Sequence, residues 1–194
     1  MVSHVVVTEG LVFREDLAQH YFLSNYFEAV LKQVLNHASE NEKVYISPGN
    51  CFGCPESEED YAAKYLINSR PQLQVFVPKN IKDRPYLDTF DNARLLRKWL
   101  EKQGKWPLDD VILYCNQPHA FRSKLMFKLC DYNIQSLITS SPEVVDRKMP
   151  TRLWFYDYLP ANLLYELVAL VYNVIRFCQS KIPLKINNKT REDL

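Results

Sequence analysis

Glycine is scarce in this chain, with four among 194 residues. The fingerprint of dinucleotide-binding folds needs several closely spaced glycines in the turn between a strand and a helix. No such group occurs in the sequence, so the usual glycine-rich loop for dinucleotides is excluded. A phosphate-bearing ligand would have to be held by other donors.

An excess of charge of one sign is missing as well. The 24 basic and 23 acidic residues leave a formal net charge of +1, which gives no electrostatic reason to expect a nucleic-acid partner. Any anion that the protein binds must therefore meet a local cluster of donors. The five cysteines, an odd number, do not indicate the disulfide framework of a secreted protein.

The sequence also lacks a secretion signal and a long uninterrupted apolar run. Residues 1–16 show no basic region followed by an apolar stretch and a small-residue cleavage site. The longest apolar stretch, residues 163–175, contains Glu166, and its length and polarity argue against a membrane-spanning helix. We therefore expect a cytoplasmic protein without a transmembrane segment, whose oligomeric state the sequence does not define.

Short apolar segments alternate with helical patterns along the chain. Strands are predicted at 4–8, 43–47, 74–78, 110–115 and 134–139, and helices at 15–37, 56–68, 89–103, 119–130 and 160–178. The strands lack clean polar alternation, which is typical of strands buried on both faces. The sequence thus predicts a three-layer α/β/α sandwich, Rossmann-like, with a mostly parallel five-stranded sheet. Residues 1–179 would form this single domain, and 180–194 a polar tail.

Polar residues cluster directly after the predicted strands, where ligands bind in open α/β sheets. Strand ends are followed by Thr8-Glu9-Gly10, by Ser47-Pro48-Gly49, by Asn116 to Arg122 and, further from its strand, by Asp88 to Ala93. Because the carboxyl ends of parallel strands share one edge of the sheet, these groups should converge there. The sequence therefore predicts a ligand site at that edge.

His119 and Arg122 lie three residues apart, on one face of the first turn of a predicted helix. Asn116 is placed to cap this helix, whose free backbone N–H groups and the Arg122 fork would form an anion site. His119 could act as general acid or base, and Glu58 is the expected partner that orients His119 or Arg122. The competing interpretation is that Arg122 pairs with a nearby carboxylate and His119 is a satisfied histidine at the sheet edge.

Taken in order, these motifs resemble the YdcF/SanA/ElyC family, a bacterial domain of unknown function. The matching positions, between residues 4 and 178, are Gly10, Ser47-Pro48-Gly49, Ser57-Glu58, Thr89 with Asn92-Ala93, His119 with Arg122, and Glu166. The Thr-x-x-Asn-Ala motif followed by His-x-x-Arg is the most specific part. The Ser-Pro-Gly turn replaces the Ser-Gly-Gly of the family, as in a divergent member with an altered ligand preference.

The resemblance implies a Rossmann-like fold with a polar pocket built from these motifs. Together with the placement of polar residues at the sheet edge, it predicts as ligand-binding residues Gly10, Ser47, Gly49, Thr89, Asn92, Asn116 and Arg122, with His119 and Glu58 as catalytic residues. It also implies a small polar or anionic ligand, nucleotide-like, with S-adenosylmethionine as a candidate for which the chain offers Gly10 but no glycine-rich loop. No metal site is expected, and whether the protein is an enzyme stays open.

Two other functions compete with a small-molecule site. Residues 156–172 are rich in aromatic and aliphatic side chains and could dock a partner or a membrane, as in a non-catalytic sensor or interaction module linked to the cell envelope. A core helix at the edge of the sheet is the simpler interpretation of that segment. Cys51 and Cys54, placed between a strand and a helix, could support thiol chemistry. A zinc site is disfavoured, because the sequence has no second cysteine pair at a spacing typical of zinc ligands.

Overall fold

The computed structural model describes residues 2–14, 20–79, 84–145, 155 and 158–181. Five strands form a parallel sheet in the order β5-β4-β1-β6-β7, which confirms the predicted fold class. These strands are β1 (Val2–Val6), β4 (Lys43–Ile46), β5 (Gln74–Phe76), β6 (Asp110–Asn116) and β7 (Ile134–Ser140). The chain runs outward from β1 to one side, then returns and adds β6 on the other, so the strand order reverses at β1.

Helices cover both faces of this sheet. They are α1 (Asn25–His37), α2 (Glu58–Ser69), α3 (Thr89–Lys102), α4 (Ala120–Leu129) and α5 (Leu159–Lys181). Val6 packs with α1 and α2 on one face, whereas its neighbour Val5 packs with α3 and α4 on the other, and both side chains are fully buried. Because successive side chains of a strand point to opposite faces, an apolar run without alternation is what a doubly covered sheet requires.

The first predicted helix, 15–37, is wrong at its start. An antiparallel hairpin of β2 (Leu11–Arg14) and β3 (His20–Leu23) comes first, and residues 15–19 lie outside the described residues. Helix α1 begins only after Ser24, whose hydroxyl accepts the Phe27 N–H at 3.0 Å and donates to the Glu9 carbonyl at 2.8 Å. This N-cap fixes the helix start because it satisfies a backbone donor that the first turn leaves free.

Helix α5 faces the domain with polar side chains as well as with partly buried apolar ones. Asn162, Glu166 and Asn173 are buried, while an apolar stripe faces outward. The stripe comprises Leu159, Leu163, Leu164, Leu167, Val168, Val171, Tyr172 and Ile175. In length and composition α5 resembles a membrane-spanning helix, and among the described residues it is the only one that does, which is weak evidence by itself. The interpretation of this segment as a core helix is therefore wrong for its outer face, and the predicted tail beyond Lys181 lies outside the described residues.

Candidate functional site

A cavity of about 310 Å³ opens at the carboxyl edge of the sheet, beside the point where the strand order reverses. Six residues singled out from the sequence line it: Gly10, Glu58, Thr89, Asn92, His119 and Arg122. The cavity is further lined by Glu9 and Asp88, by Phe52 and Tyr86, and by Tyr165, Tyr172 and Asn173 of α5. Its size lies at the lower end of the range for small-molecule sites, roughly 300–1,000 Å³.

Glu9 holds His119 in place at the base of this site. The Nδ1 atom of His119 lies 3.0 and 3.1 Å from the two Glu9 carboxylate oxygens, and the Glu9 side chain is fully buried. The Asn116 N–H donates to the same carboxylate at 2.9 Å, as does the Asn116 side-chain amide. The sequence placed Glu9 at this edge of the sheet, but its pattern assigned Glu9 no role in the site.

Thr89 connects His119 to Arg122. The Nε2 atom of His119 lies 2.8 Å from the Thr89 hydroxyl, which also accepts a hydrogen bond from Arg122 Nη1. In the neutral tautomer whose Nδ1 proton is directed at Glu9, Nε2 is the acceptor and Thr89 donates to it. Glu9, His119 and Thr89 thus form a carboxylate–imidazole–hydroxyl chain, which we call the relay.

The guanidinium of Arg122 is bound by Glu166 of α5. Its Nε and Nη2 atoms donate to the two Glu166 oxygens at 2.7 and 2.8 Å, and both side chains are buried. The His119 N–H donates to the Asn116 side chain, and the Ala120 N–H donates to the Gln117 carbonyl. The predicted anion site at this helix start therefore has its arginine fork and these two backbone donors already engaged. For Arg122 the structure matches the competing interpretation from the sequence.

The sequence suggested that Glu58 orients His119 or Arg122. In the structure Glu9 binds His119 and Glu166 binds Arg122 instead. The two Glu58 oxygens accept the backbone N–H groups of Gly10 and Asn50, each at 2.5 Å. Burial raises the pKa of Glu58 to about 7, helped by the charges of Glu59 and Glu9 and opposed by these two hydrogen bonds. Glu58 thus ties the turns after β1 and β4 together and titrates near neutral pH.

Three predicted ligand-binding residues, Ser47, Gly49 and Asn116, are not among the residues that line the cavity. The Gly49 N–H donates to Glu59 at 2.8 Å, and a Cβ at Gly49 would lie 2.6 Å from a Glu58 oxygen. The Ser47 hydroxyl accepts a hydrogen bond from the Thr8 N–H at 3.3 Å and lies 3.4 Å from the side-chain amide of Asn92. The same Asn92 amide donates to the Thr8 hydroxyl and to the Pro48 carbonyl. These contacts hold the strand ends together, and the role of all three in binding stays a prediction.

A buried ion cluster fixes α5 over the cavity. Arg176 of α5 binds the fully buried Asp91 through two hydrogen bonds of 2.8 and 3.0 Å and also binds Asp88. Arg94 adds a third cationic contact to Asp91, at 3.0 Å. Burial works to raise the pKa of Asp91, but the hydrogen bonds from Arg176 and Arg94 outweigh it and keep this pKa below its usual value. Charge pairing with α3 therefore helps to fix the position of α5, beside its apolar contacts with the core.

In the cysteine pair after β4, the surroundings of Cys54 do not favour thiol chemistry. Cys51 is exposed, and Cys54 is half-buried. Burial, together with the charges of Cys51 and Glu58, raises the pKa of Cys54 to about 11. A thiolate is the reactive form, so a raised pKa lowers reactivity at neutral pH. Within the described residues no group of three or more histidine, cysteine or acidic side chains could hold a metal ion.

Comparisons with protein-family models, with curated proteins and with solved structures give no match to this chain. The class that fold and site define is therefore a Rossmann-like α/β domain with a polar cavity at the carboxyl edge of its sheet. The resemblance to the YdcF/SanA/ElyC family is neither supported nor opposed by these comparisons.

Proposed function

We propose that this cytoplasmic, YdcF-like protein binds a small polar ligand in the cavity and that His119 acts there as general acid and base. The observation that carries the proposal is the relay, in which Glu9 orients His119 towards the hydroxyl of Thr89. A buried carboxylate that fixes the histidine tautomer and a hydroxyl on the other ring nitrogen are the arrangement that activates hydroxyl groups in enzymes.

The surroundings of Thr89 suit proton transfer. When His119 takes the Thr89 proton, negative charge develops on an oxygen that Arg122 already contacts with an N–H donor, and such a preplaced donor stabilises that charge. A ligand hydroxyl that replaced Thr89 at His119 would meet the same base. Glu58, with its pKa near 7, supplies a second group in the cavity lining that exchanges protons at neutral pH.

Among the ligands that the resemblance suggests, S-adenosylmethionine fits the charge of the lining better than a phosphate does. Glu9, Glu58 and Asp88 line the cavity, and Arg122 is paired with Glu166. A sulfonium cation would be attracted by this lining, whereas a phosphate would be repelled. S-Adenosylmethionine stays a proposal, since no contact in the cavity is specific for it.

If His119 is a general acid and base, we expect the wild-type protein to hydrolyse p-nitrophenyl acetate. The His119→Gln variant should hydrolyse it about 100-fold more slowly, because general acid–base catalysis contributes a rate factor of about that size. Gln keeps a side-chain hydrogen bond to Glu9 but cannot take a proton at neutral pH. The rate is measured by release of p-nitrophenolate. His37→Ala is the matched control, because His37 is an exposed histidine on α1. Equal rates of hydrolysis in the wild type and His119→Gln would exclude the acid–base role of His119.

The outward apolar stripe of α5 supports a second candidate function, docking on a membrane surface. Leu164, Leu167 and Val171 are 63, 59 and 53% exposed, although apolar side chains of this size usually gain by burial. The stripe reaches the cavity mouth, since Val168 and Tyr172 belong to both. A lipid surface on this face would therefore lie beside the ligand site.

We expect the wild type to sediment with phosphatidylcholine vesicles and the triple variant Leu164→Gln/Leu167→Gln/Val171→Gln to bind them about 100-fold more weakly. The loss follows from about 1 kcal/mol of apolar burial for each half-exposed side chain. Ile67→Gln, at an exposed position of α2, should bind as the wild type does. A wild type that is monomeric by size-exclusion chromatography and indifferent to vesicles would exclude docking.

A further inference from the structure

Asn173 is a buried amide that lines the cavity without a partner. It is 1% exposed, and neither its side-chain oxygen nor its nitrogen has a hydrogen-bond partner among the described residues. Buried polar side chains are nearly always hydrogen-bonded, so an amide unpaired at both ends needs an explanation. A ligand in the cavity would provide both missing partners.

The charged groups of the cavity differ from Asn173, because their partners come from the protein itself. His119 is bound by Glu9, and Arg122 by Glu166. Glu58 accepts two backbone N–H groups, and Asp88 accepts the Asp91 N–H and Arg176. The charged groups of the lining thus already have hydrogen-bond partners within the fold, and the unsatisfied hydrogen-bonding capacity lies on a neutral group that can both donate and accept.

We propose that Asn173 recognises the ligand and that the part of the ligand it meets is uncharged, bearing hydroxyl or amide groups as in a sugar or a nucleoside. This inference rests on the proposed function, because it requires the cavity to be a ligand site. A hydroxyl or an amide can satisfy both ends of the Asn173 side chain.

An anionic group would be disfavoured in the same place. The two lining residues that can carry positive charge within the described part of the chain, His119 and Arg122, both have carboxylate partners. A phosphate would have to break one of these buried pairs or remain unpaired among carboxylates, and an unpaired buried charge is costly. An uncharged ligand demands neither.

The position of Asn173 on α5 also suits a ring-shaped ligand. Tyr165, Tyr172 and Asn173 line the cavity from the same helix, so two aromatic rings accompany the amide. Aromatic faces pack well against the flat apolar surfaces of a ring, while the amide can form hydrogen bonds with polar groups of the same ligand. Arg176, one turn beyond Asn173, is held by Asp88 and Asp91, so the fold fixes the amide in place.

The test measures thermal unfolding of wild type and Asn173→Leu, alone and with two probe pairs: glucose with glucose 6-phosphate, and adenosine with its monophosphate. Leu branches at the same carbon as Asn and carries methyl groups in place of the amide oxygen and nitrogen, so it is somewhat larger and removes the unpaired polar atoms. We expect Asn173→Leu alone to unfold about 3 °C higher than the wild type. An uncharged probe should raise the midpoint of the wild type, the phosphate form should raise it less, and Asn173→Leu should respond to neither.

Asn162→Leu is the matched control. Asn162 lies on the same helix, is equally buried and has an unpartnered side-chain oxygen, but it is not among the residues lining the cavity. Its variant should respond to the probes as the wild type does. The inference is overturned if Asn173→Leu alone is less stable than the wild type, or if the probes raise the midpoints of the wild type and Asn173→Leu equally. It is also overturned if the phosphate forms raise the wild-type midpoint more than the uncharged probes do, or if no uncharged probe raises it. Loss of esterase activity in His119→Gln alongside any of these results would leave the relay standing and remove only the ligand class.

Discussion

Replacing Glu166 with Ala is expected to lower the free energy of unfolding by about 3–5 kcal/mol, because it leaves the guanidinium of Arg122 buried without its carboxylate. Both side chains are at most 8% exposed, and two hydrogen bonds of 2.7 and 2.8 Å join them. Urea unfolding at pH 7, followed by circular dichroism, measures the loss.

Two controls separate this buried pair from an ordinary ion pair. The double variant Arg122→Met/Glu166→Leu removes both charges and should lose clearly less than Glu166→Ala, since no charge is left unpaired. Glu56→Ala removes an exposed partner of Lys64 and should cost under about 1 kcal/mol. A loss of that small size in Glu166→Ala would mean that Arg122 does not depend on Glu166.

The sheet could be predicted because its strands are short apolar runs with polar ends. The run at 110–115 becomes β6 (Asp110–Asn116) and that at 134–139 becomes β7 (Ile134–Ser140). The β2–β3 hairpin could not be predicted, because each of its strands has only four residues. The helical pattern of α1 was therefore extended backwards over both strands. The Ser24 cap was the local signal that would have stopped this extension.

The place of the site could be predicted, but its pairings could not. The carboxyl ends of parallel strands must share one edge, and this alone locates Gly10, Thr89 and His119. The partners of the two central residues depend on side chains far away in sequence: Glu9 is 110 residues from His119, and Glu166 is 44 residues from Arg122. Local pattern carries no information on contacts between residues so far apart, and Glu58 was assigned as the partner instead.

Titration of Glu58 is expected to make the protein less stable as the pH rises from 5 to 8. In the unfolded chain this carboxyl has a pKa of 4.5, whereas burial in the fold raises the pKa to about 7. Between these values the folded state holds a proton that the unfolded state has released, so raising the pH favours unfolding. From pH 5 to pH 8 this group should lower the free energy of unfolding by about 2–3 kcal/mol.

The contribution of Glu58 is isolated by comparing the wild type with Glu58→Gln in urea unfolding at pH 5, 6, 7 and 8. Gln does not titrate, so its curve should lack this decrease, although it loses one acceptor for the N–H groups of Gly10 and Asn50. Glu40→Gln, at an exposed turn position, should keep the wild-type slope. Parallel curves for wild type and Glu58→Gln would mean that Glu58 is already ionised at pH 5. A near-neutral proton on Glu58 would then be excluded, and His119 would be the remaining candidate for the acid–base role.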